Sequence, residues 1–379
     1  DLITARLDAR TDSYLATLPS LQLNDVSIDA GEVRKHERML TGGFYAEINL
    51  AYGADSEDEP ARRPFSIVNL RPIQVSKRDV LETIAAGRRG FTTEQWKHFL
   101  LRSIGFEPEQ LTPRAQDVLL LRMVPFVERN YNMIELGPRG TGKSHLFQQV
   151  SPYSHLVSGG KATVARMFVN NATGQRGLVA QYDVVCFDEV SGGSFDQKDG
   201  VNIMKGNMES GEVSRGRESN RASGSIALVG NFDVDVAHQQ RIGHLFGPLP
   251  PEMRNDTAFM DRIHAYLPGW DIPKMERSLF TSHFGLVSDV LSEAWSQLQG
   301  ENRLKQLQGR VEFGGALSGR DTNGVNKTVN GLLKLLYPDP ATAIPDEDIE
   351  WAVRLAMECR RRVKEQQKRI GSAEFRNTH

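Results

Sequence analysis

The sequence predicts an α/β protein: a phosphate-loop core on a parallel sheet with a C-terminal helical lid, preceded by a smaller mixed N-terminal domain of helix and strand. Three observations predict it. From about residue 99 to 275, apolar runs alternate with helical stretches, as in parallel sheets with crossover helices. The run at 131–136 ends in Gly137-Pro138-Arg139-Gly140-Thr141-Gly142-Lys143-Ser144, a complete G-x-x-x-x-G-K-[ST]. From about 275 onward the apolar spacing is helical. A chain of 379 residues is too long for one ordinary core, and the expected divisions are 1–98, 99–275 and 276–379.

Taken in order, residues before 43 read as a short helical start. At 43–52, Phe44, Ala46, Ile48, Leu50 and Tyr52 alternate with more polar neighbours, which predicts a half-buried strand. After a charged loop, residues 65–70 read as its partner. The pair suggests a small β-rich module, a barrel of the kind that binds oligonucleotides, although two strands do not define a barrel. Residues 79–128 read as helical, with Trp96, Phe99, Leu100 and Leu101 on an apolar face. Near the end, Ile349, Ala352, Val353, Ala356 and Met357 follow helical spacing, opened by Pro345 and closed by Lys368, Arg369 and Gly371.

Composition narrows the function classes. Net charge is −2 and the isoelectric point about 6.6, so a nucleic-acid site has to be a local basic cluster. No apolar run approaches the roughly 18 residues that cross a bilayer, and no apolar segment follows a basic start as in a signal peptide. The sequence does not begin with Met, as a trimmed chain would not. Cys186 and Cys359 are too few and too far apart for a disulfide framework or a zinc site, and a cytoplasmic location is expected. Cys186 reads as a small core residue.

The glycine-rich segment carries the clearest chemistry. Glycines let backbone N–H groups converge on phosphates, and the following helix, opened by His145, presents its N-terminus to the same anion. Lys143 is expected to reach the β- and γ-phosphates and Ser144 to ligate Mg²⁺, with ATP as the nucleotide held by Gly137 through His145. An apolar strand at 184–187 ends in Asp188-Glu189, 45 residues after Lys143. Ligands of open α/β sheets sit at strand carboxyl ends, so Asp188 would hold the Mg²⁺ shell and Glu189 orient the attacking water. A second strand, 226–231, ends in Asn231, which would reach the water or the γ-phosphate. A solvated turn is the alternative for each of these polar tips.

Charge building on a transferred phosphoryl group calls for an arginine. Arg262, between a helical stretch and a strand, is favoured over Arg254 as a residue reaching the next subunit's site. Arg320, opening a C-terminal helix, is expected to contact nucleotide from the lid. Either assignment implies an oligomer, most simply a hexameric ring. Surface salt bridges are the competing explanation.

This ordered set of Gly137–Ser144, Asp188–Glu189, Asn231, Arg262 and Arg320 resembles the AAA+ ATPases over roughly residues 100–370. More closely, the chain resembles the BrxL family, Lon-related proteins of bacteriophage exclusion (BREX) systems, in 91–96 with 101–105, 135–144, 187–189 and 204–211. That resemblance implies a cytoplasmic bacterial antiviral factor, a ring-shaped ATPase that encloses DNA. Family members also carry a Lon-protease-like domain after the lid. This sequence stops at His379 without a recognisable Ser/Lys pair; either the chain is truncated or the domain is absent, and proteolysis by this chain is not inferred from the resemblance. A second similarity, to minichromosome maintenance helicases, implies hairpins that touch DNA inside the ring. Residues 167–178, with Arg176, read as one hairpin with a Thr-Gly turn. Residues 208–221, with Arg215, Arg217 and Arg221, suit contact with phosphate backbone. The Arg34-Lys35, Arg62-Arg63, Arg88-Arg89 and Arg360–Arg362 groups are weaker candidates. The expected activity is an ATP-driven motor on double-stranded DNA in phage defence. The alternative is a protein unfoldase, the motor of a Lon-type protease, against which stand arginine and glycine where aromatic pore loops belong.

Overall fold

The computed structural model describes residues 1–40, 43–53, 64–72, 80–158, 167–168, 177–190, 198–215, 218–232, 235, 238 and 245–371. The chain forms two compact units, Asp1–Arg78 and Asp79–His379.

In the first unit, strands β1 (Leu2–Asp8), β2 (Ser13–Leu18), β3 (Leu23–Ile28), β4 (Phe44–Tyr52) and β5 (Phe65–Pro72) close into a barrel in the order β1-β2-β3-β5-β4. Helix α1 (Ala30–Lys35) joins β3 to β4, with the Asp29 carboxylate accepting from Gly31 N–H as its cap. β3 and β5 run parallel and the other described pairs antiparallel, the Greek-key closure of five-stranded oligonucleotide-type barrels. Ile3, Ala16, Leu18, Val26, Phe44 and Ala46 fill the interior. The β4–β5 pair follows the sequence expectation, whereas the expected helical start is three strands followed by a short helix. Buried neighbours side by side (Leu2-Ile3, Leu15-Ala16) break the two-residue alternation, and outward Arg6 and Asp25 pair with each other across the barrel surface. The strands are therefore legible only once they are paired.

The second unit begins with α2 (Val80–Arg88), α3 (Thr93–Ser103) and α4 (Pro113–Val127). Its boundary falls twenty residues before the position expected from the sequence. Arg88 Nε donates to Leu336 O at 2.7 Å and Trp96 Nε1 to Leu335 O at 2.9 Å, which ties residues 80–98 to this unit. Arg88 is thus a buried structural residue, as is Arg360, and neither is free for DNA.

A five-stranded parallel sheet follows: β6 (Asn132–Gly137), β7 (Ser154–Ser158), β8 (Val184–Asp188), β11 (Ser225–Asn231) and β12 (Ala265–Pro268), in the order β12-β6-β11-β8-β7. Between β8 and β11, β9 (Glu212–Arg215) and β10 (Glu218–Arg221) form an antiparallel hairpin. Among the described residues, the α-helices after α4 run α5 (Lys143–Gln149), α6 (Leu178–Gln181), α7 (Lys198–Ser210), α8 (Pro251–Arg254), α9 (Thr257–Asp261), α10 (Ser288–Leu298), α11 (Gly319–Leu336) and α12 (Asp346–Ile370). Alternate β6 residues face two cores. Met133 joins Phe147, Cys186, Trp295 and Val329, while Ile134 and Leu136 join Phe187, Met204, Phe259 and Tyr266. Cys186 is the small core residue expected of it. α12 buries Ile349, Ala352 and Ala356, as its helical spacing predicts. No helix among the described residues is long and apolar enough to cross a membrane.

Candidate nucleotide site

β6 is buried along its whole length and delivers the chain to Gly137 at its carboxyl end. A Cβ on Gly137 would lie 2.6 Å from the Gly269 carbonyl carbon, so only glycine lets the turn after β12 pass this close. Gly142 caps α5 with φ +71°, in the left-handed region that glycine takes without strain. The loop thus leaves the strand at Gly137 and enters the helix at Gly142.

Lys143 is 5% exposed, and its Nζ donates to Pro138 O at 2.7 Å and to Gly137 O at 3.5 Å. Burial lowers its pKa, and nearby Glu135 and Asp188 only partly oppose that. A buried ammonium resting on loop carbonyls favours an arriving anion. Thr141 Oγ1 is also buried, without a hydrogen-bond partner. Ser144 is half-buried, and Pro138, Arg139, Gly140 and His145 lie at the accessible rim.

The adjacent strands bring the other predicted polar residues to the same edge. Asn231 is the direct parallel partner of Gly137. β8 ends in half-buried Asp188, whose Oδ1 accepts from Glu189 N at 2.9 Å. Glu189 is exposed with φ +54°, a left-handed conformation that costs a non-glycine residue about 1–2 kcal/mol. Such strain persists where surrounding structure enforces it, often at working sites. This edge could hold a nucleotide: the loop and Lys143 would receive phosphate, Ser144 and Asp188 could offer oxygens to a metal ion, and Glu189 and Asn231 would stand on the same side.

Beneath the loop lies a pair that the sequence reading missed. Arg122 on α4 and Glu135 on β6, both fully buried, form a two-pronged ion pair at 2.9 and 2.5 Å, and Arg122 Nη1 donates to Thr141 O at 3.2 Å. A charged residue inside an otherwise apolar strand was the available signal. Its partner, thirteen residues earlier, was not identifiable.

Arg262 and Arg320 are not beside this loop. Asp261 and Arg262 precede β12, and Asn132 Nδ2 donates to Arg262 O at 3.4 Å at the start of β6, so this cluster lies at the strands' amino ends. The length of β6 separates it from Gly137 by roughly 16 Å. Arg262 Nε donates to Lys205 O at 2.8 Å, Nη1 to Ala258 O at 2.6 Å, and Nη2 to Glu209. Arg320 Nη1 donates to Asp261 at 2.6 Å, and its Nη2 lies 3.8 Å from Glu209. Asp261 thus holds Arg320 at the end of the sheet away from its own chain's phosphate loop. Exposed Arg254 donates to Gly247 O at 3.0 Å. Arg215 and Arg221 belong to β9 and β10, whereas Arg176 and Arg217, with most of the hairpin expected at 167–178, lie outside the described residues.

Comparison with known proteins finds two family models along the chain. Residues 65–379 match the family "Lon-like protease BrxL-like, ATPase domain", and residues 1–52 match "BREX system Lon protease-like protein BrxL N-terminal". Similar curated proteins are the Lon-like protease BrxL of Escherichia coli O9:H4 (strain HS) and that of Bacillus cereus (strain H3081.97). Each is 44% identical over 375 residues, covering 99% of this chain but 53% and 55% of the relatives, so the chain spans about half their length. The chain belongs to the BrxL family of Lon-like proteins and carries that family's ATPase domain.

Proposed function

We propose that this chain is an AAA+ ATPase that assembles into a ring, most simply a hexamer, and moves on or remodels double-stranded DNA in defence against phage. The observation that carries the reading is one sheet edge. With the core strands numbered in chain order, the sheet runs 5-1-4-3-2, and the phosphate loop after the first, Asp188–Glu189 after the third and Asn231 after the fourth share its carboxyl end.

In the proposed reaction, loop amides and Lys143 hold the β- and γ-phosphates of ATP. Glu189 orients a water and takes its proton as the water oxygen bonds to the γ-phosphorus. The bond from that phosphorus to the bridging oxygen breaks, giving ADP and phosphate. A Mg²⁺ held by Ser144 and Asp188 would neutralise charge on the phosphate oxygens. Arg262 and Arg320, roughly 16 Å from their own loop, are read as serving the nucleotide of a neighbouring copy. The β9–β10 hairpin, with Arg215, Arg217 and Arg221 in its sequence, is read as the DNA contact and the N-terminal barrel as a further candidate.

A protein unfoldase is the second reading, favoured by the name of the relatives, Lon-like protease. Steady-state ATP hydrolysis with duplex DNA, with denatured protein and with neither separates the two. Stimulation by duplex alone supports the DNA motor, and stimulation by denatured protein alone replaces it with the unfoldase.

A further inference from the structure

The last turn of α7 touches three parts of the unit through three successive residues. Asn207, 1% exposed, donates through Nδ2 to Ala222 O at 2.7 Å, just past the end of β10. Gly211 N–H returns to Asn207 O at 2.7 Å, and Ala222 N–H donates to Gly211 O at 2.9 Å. Both ends of the β9–β10 hairpin are thereby fastened to this turn. Met208 O accepts from Asn130 and Asn132, each at 3.2 Å, at the root of β6. Glu209 bonds Arg262 and lies 3.8 Å from Arg320. One turn earlier, Lys205 O receives Arg262 Nε, while Lys205 Nζ donates at 2.6 Å to Asp256, the cap of α9.

From this junction we propose that Glu209 is a positioning residue. It holds Arg262 and Arg320 as one unit and passes displacement of the β9–β10 hairpin to them through the rigid end of α7. The proposal rests on the reading of these arginines as serving a neighbour's nucleotide. Asp261 neutralises Arg320 at 2.6 Å, and Glu209, which bonds Arg262 and lies 3.8 Å from Arg320, offsets the repulsion between the two cations and links them. A helical turn moves as a body, because its backbone bonds and the Asn207 and Asn132 anchors must shift together. Hairpin displacement on DNA would therefore move Glu209, and the arginines with it.

The test measures ATP turnover of the full chain with and without duplex DNA for wild type, Glu209→Gln and Arg262→Ala. Gln keeps the shape of Glu209 and removes its charge. The expected result for Glu209→Gln is an unchanged KM for ATP, a kcat lower by on the order of tenfold, and a DNA stimulation ratio near one. Wild-type stimulation by Glu209→Gln, alongside a dead Arg262→Ala, overturns the relay and leaves the arginine reading standing. Wild-type turnover by Arg262→Ala overturns both, and a wild type indifferent to duplex overturns the relay. If Glu209→Gln folds poorly by thermal melting, Glu209→Asp, one methylene too short to meet both guanidinium groups, replaces it under the same criteria.

Discussion

Arg122 and Glu135 have no exposed surface, and each is the other's counter-charge. Arg122→Leu would leave the Glu135 carboxylate buried without a partner, and removing one member of such a pair costs about 3–5 kcal/mol. For a unit of this size that corresponds to a fall in melting temperature on the order of 10 °C. Replacing both, Arg122→Leu with Glu135→Leu, removes the stranded charge and should return most of that stability, since a buried ion pair does not outperform apolar packing of like volume. The double variant should still bind ATP weakly, because the Thr141 carbonyl has lost the Arg122 donor that orders the loop. Differential scanning calorimetry and nucleotide titration on wild type, both single variants and the double variant separate these effects. A single variant that melts within about 2 °C of wild type, or a double variant that melts below either single, would refute the reasoning.

Three further outcomes follow from the same geometry. Glu189→Gln should bind ATP as wild type does while single-turnover hydrolysis falls by about 10²–10⁴, whereas Lys143→Ala should lose binding itself in a nucleotide titration. Because Arg320 lies at the sheet edge away from its own loop, Arg320→Ala and Lys143→Ala chains should each be inactive alone. Mixed, they should recover turnover, and a mixture as inactive as its components would remove the shared-site reading. Burial pushes the Asp321 carboxyl up, but Arg360, Ser318 and Lys364 outweigh it and bring the pKa down to about 2. A depressed carboxyl stabilises the fold above its unfolded value near 3.8 and loses that contribution as pH falls through about 2. Acid unfolding followed by circular dichroism should therefore show Asp321→Asn to be less stable than wild type at pH 6 by roughly 2 kcal/mol, with the difference vanishing toward pH 2.

What the sequence determined by itself was whatever depends on neighbours along the chain. A loop that must approach phosphate needs glycines and a lysine at fixed spacing, and a buried strand is mostly apolar before a polar tip, so Gly137–Ser144, Asp188–Glu189 and Asn231 were legible with their places on the sheet edge. The helical spacing of α12 was legible for the same reason, because one face of one helix is a local pattern. Only the tertiary structure decided matters that depend on partners brought together by folding. The barrel strands before residue 43 lack a clean alternation and are defined by their pairing. Arg122 gains its meaning from Glu135, Arg262 from Glu209, and Arg320 from Asp261 across 59 residues of chain. An arginine's role is set by which carboxylate neutralises it and which end of the sheet it occupies, and neither is encoded in the residues beside it.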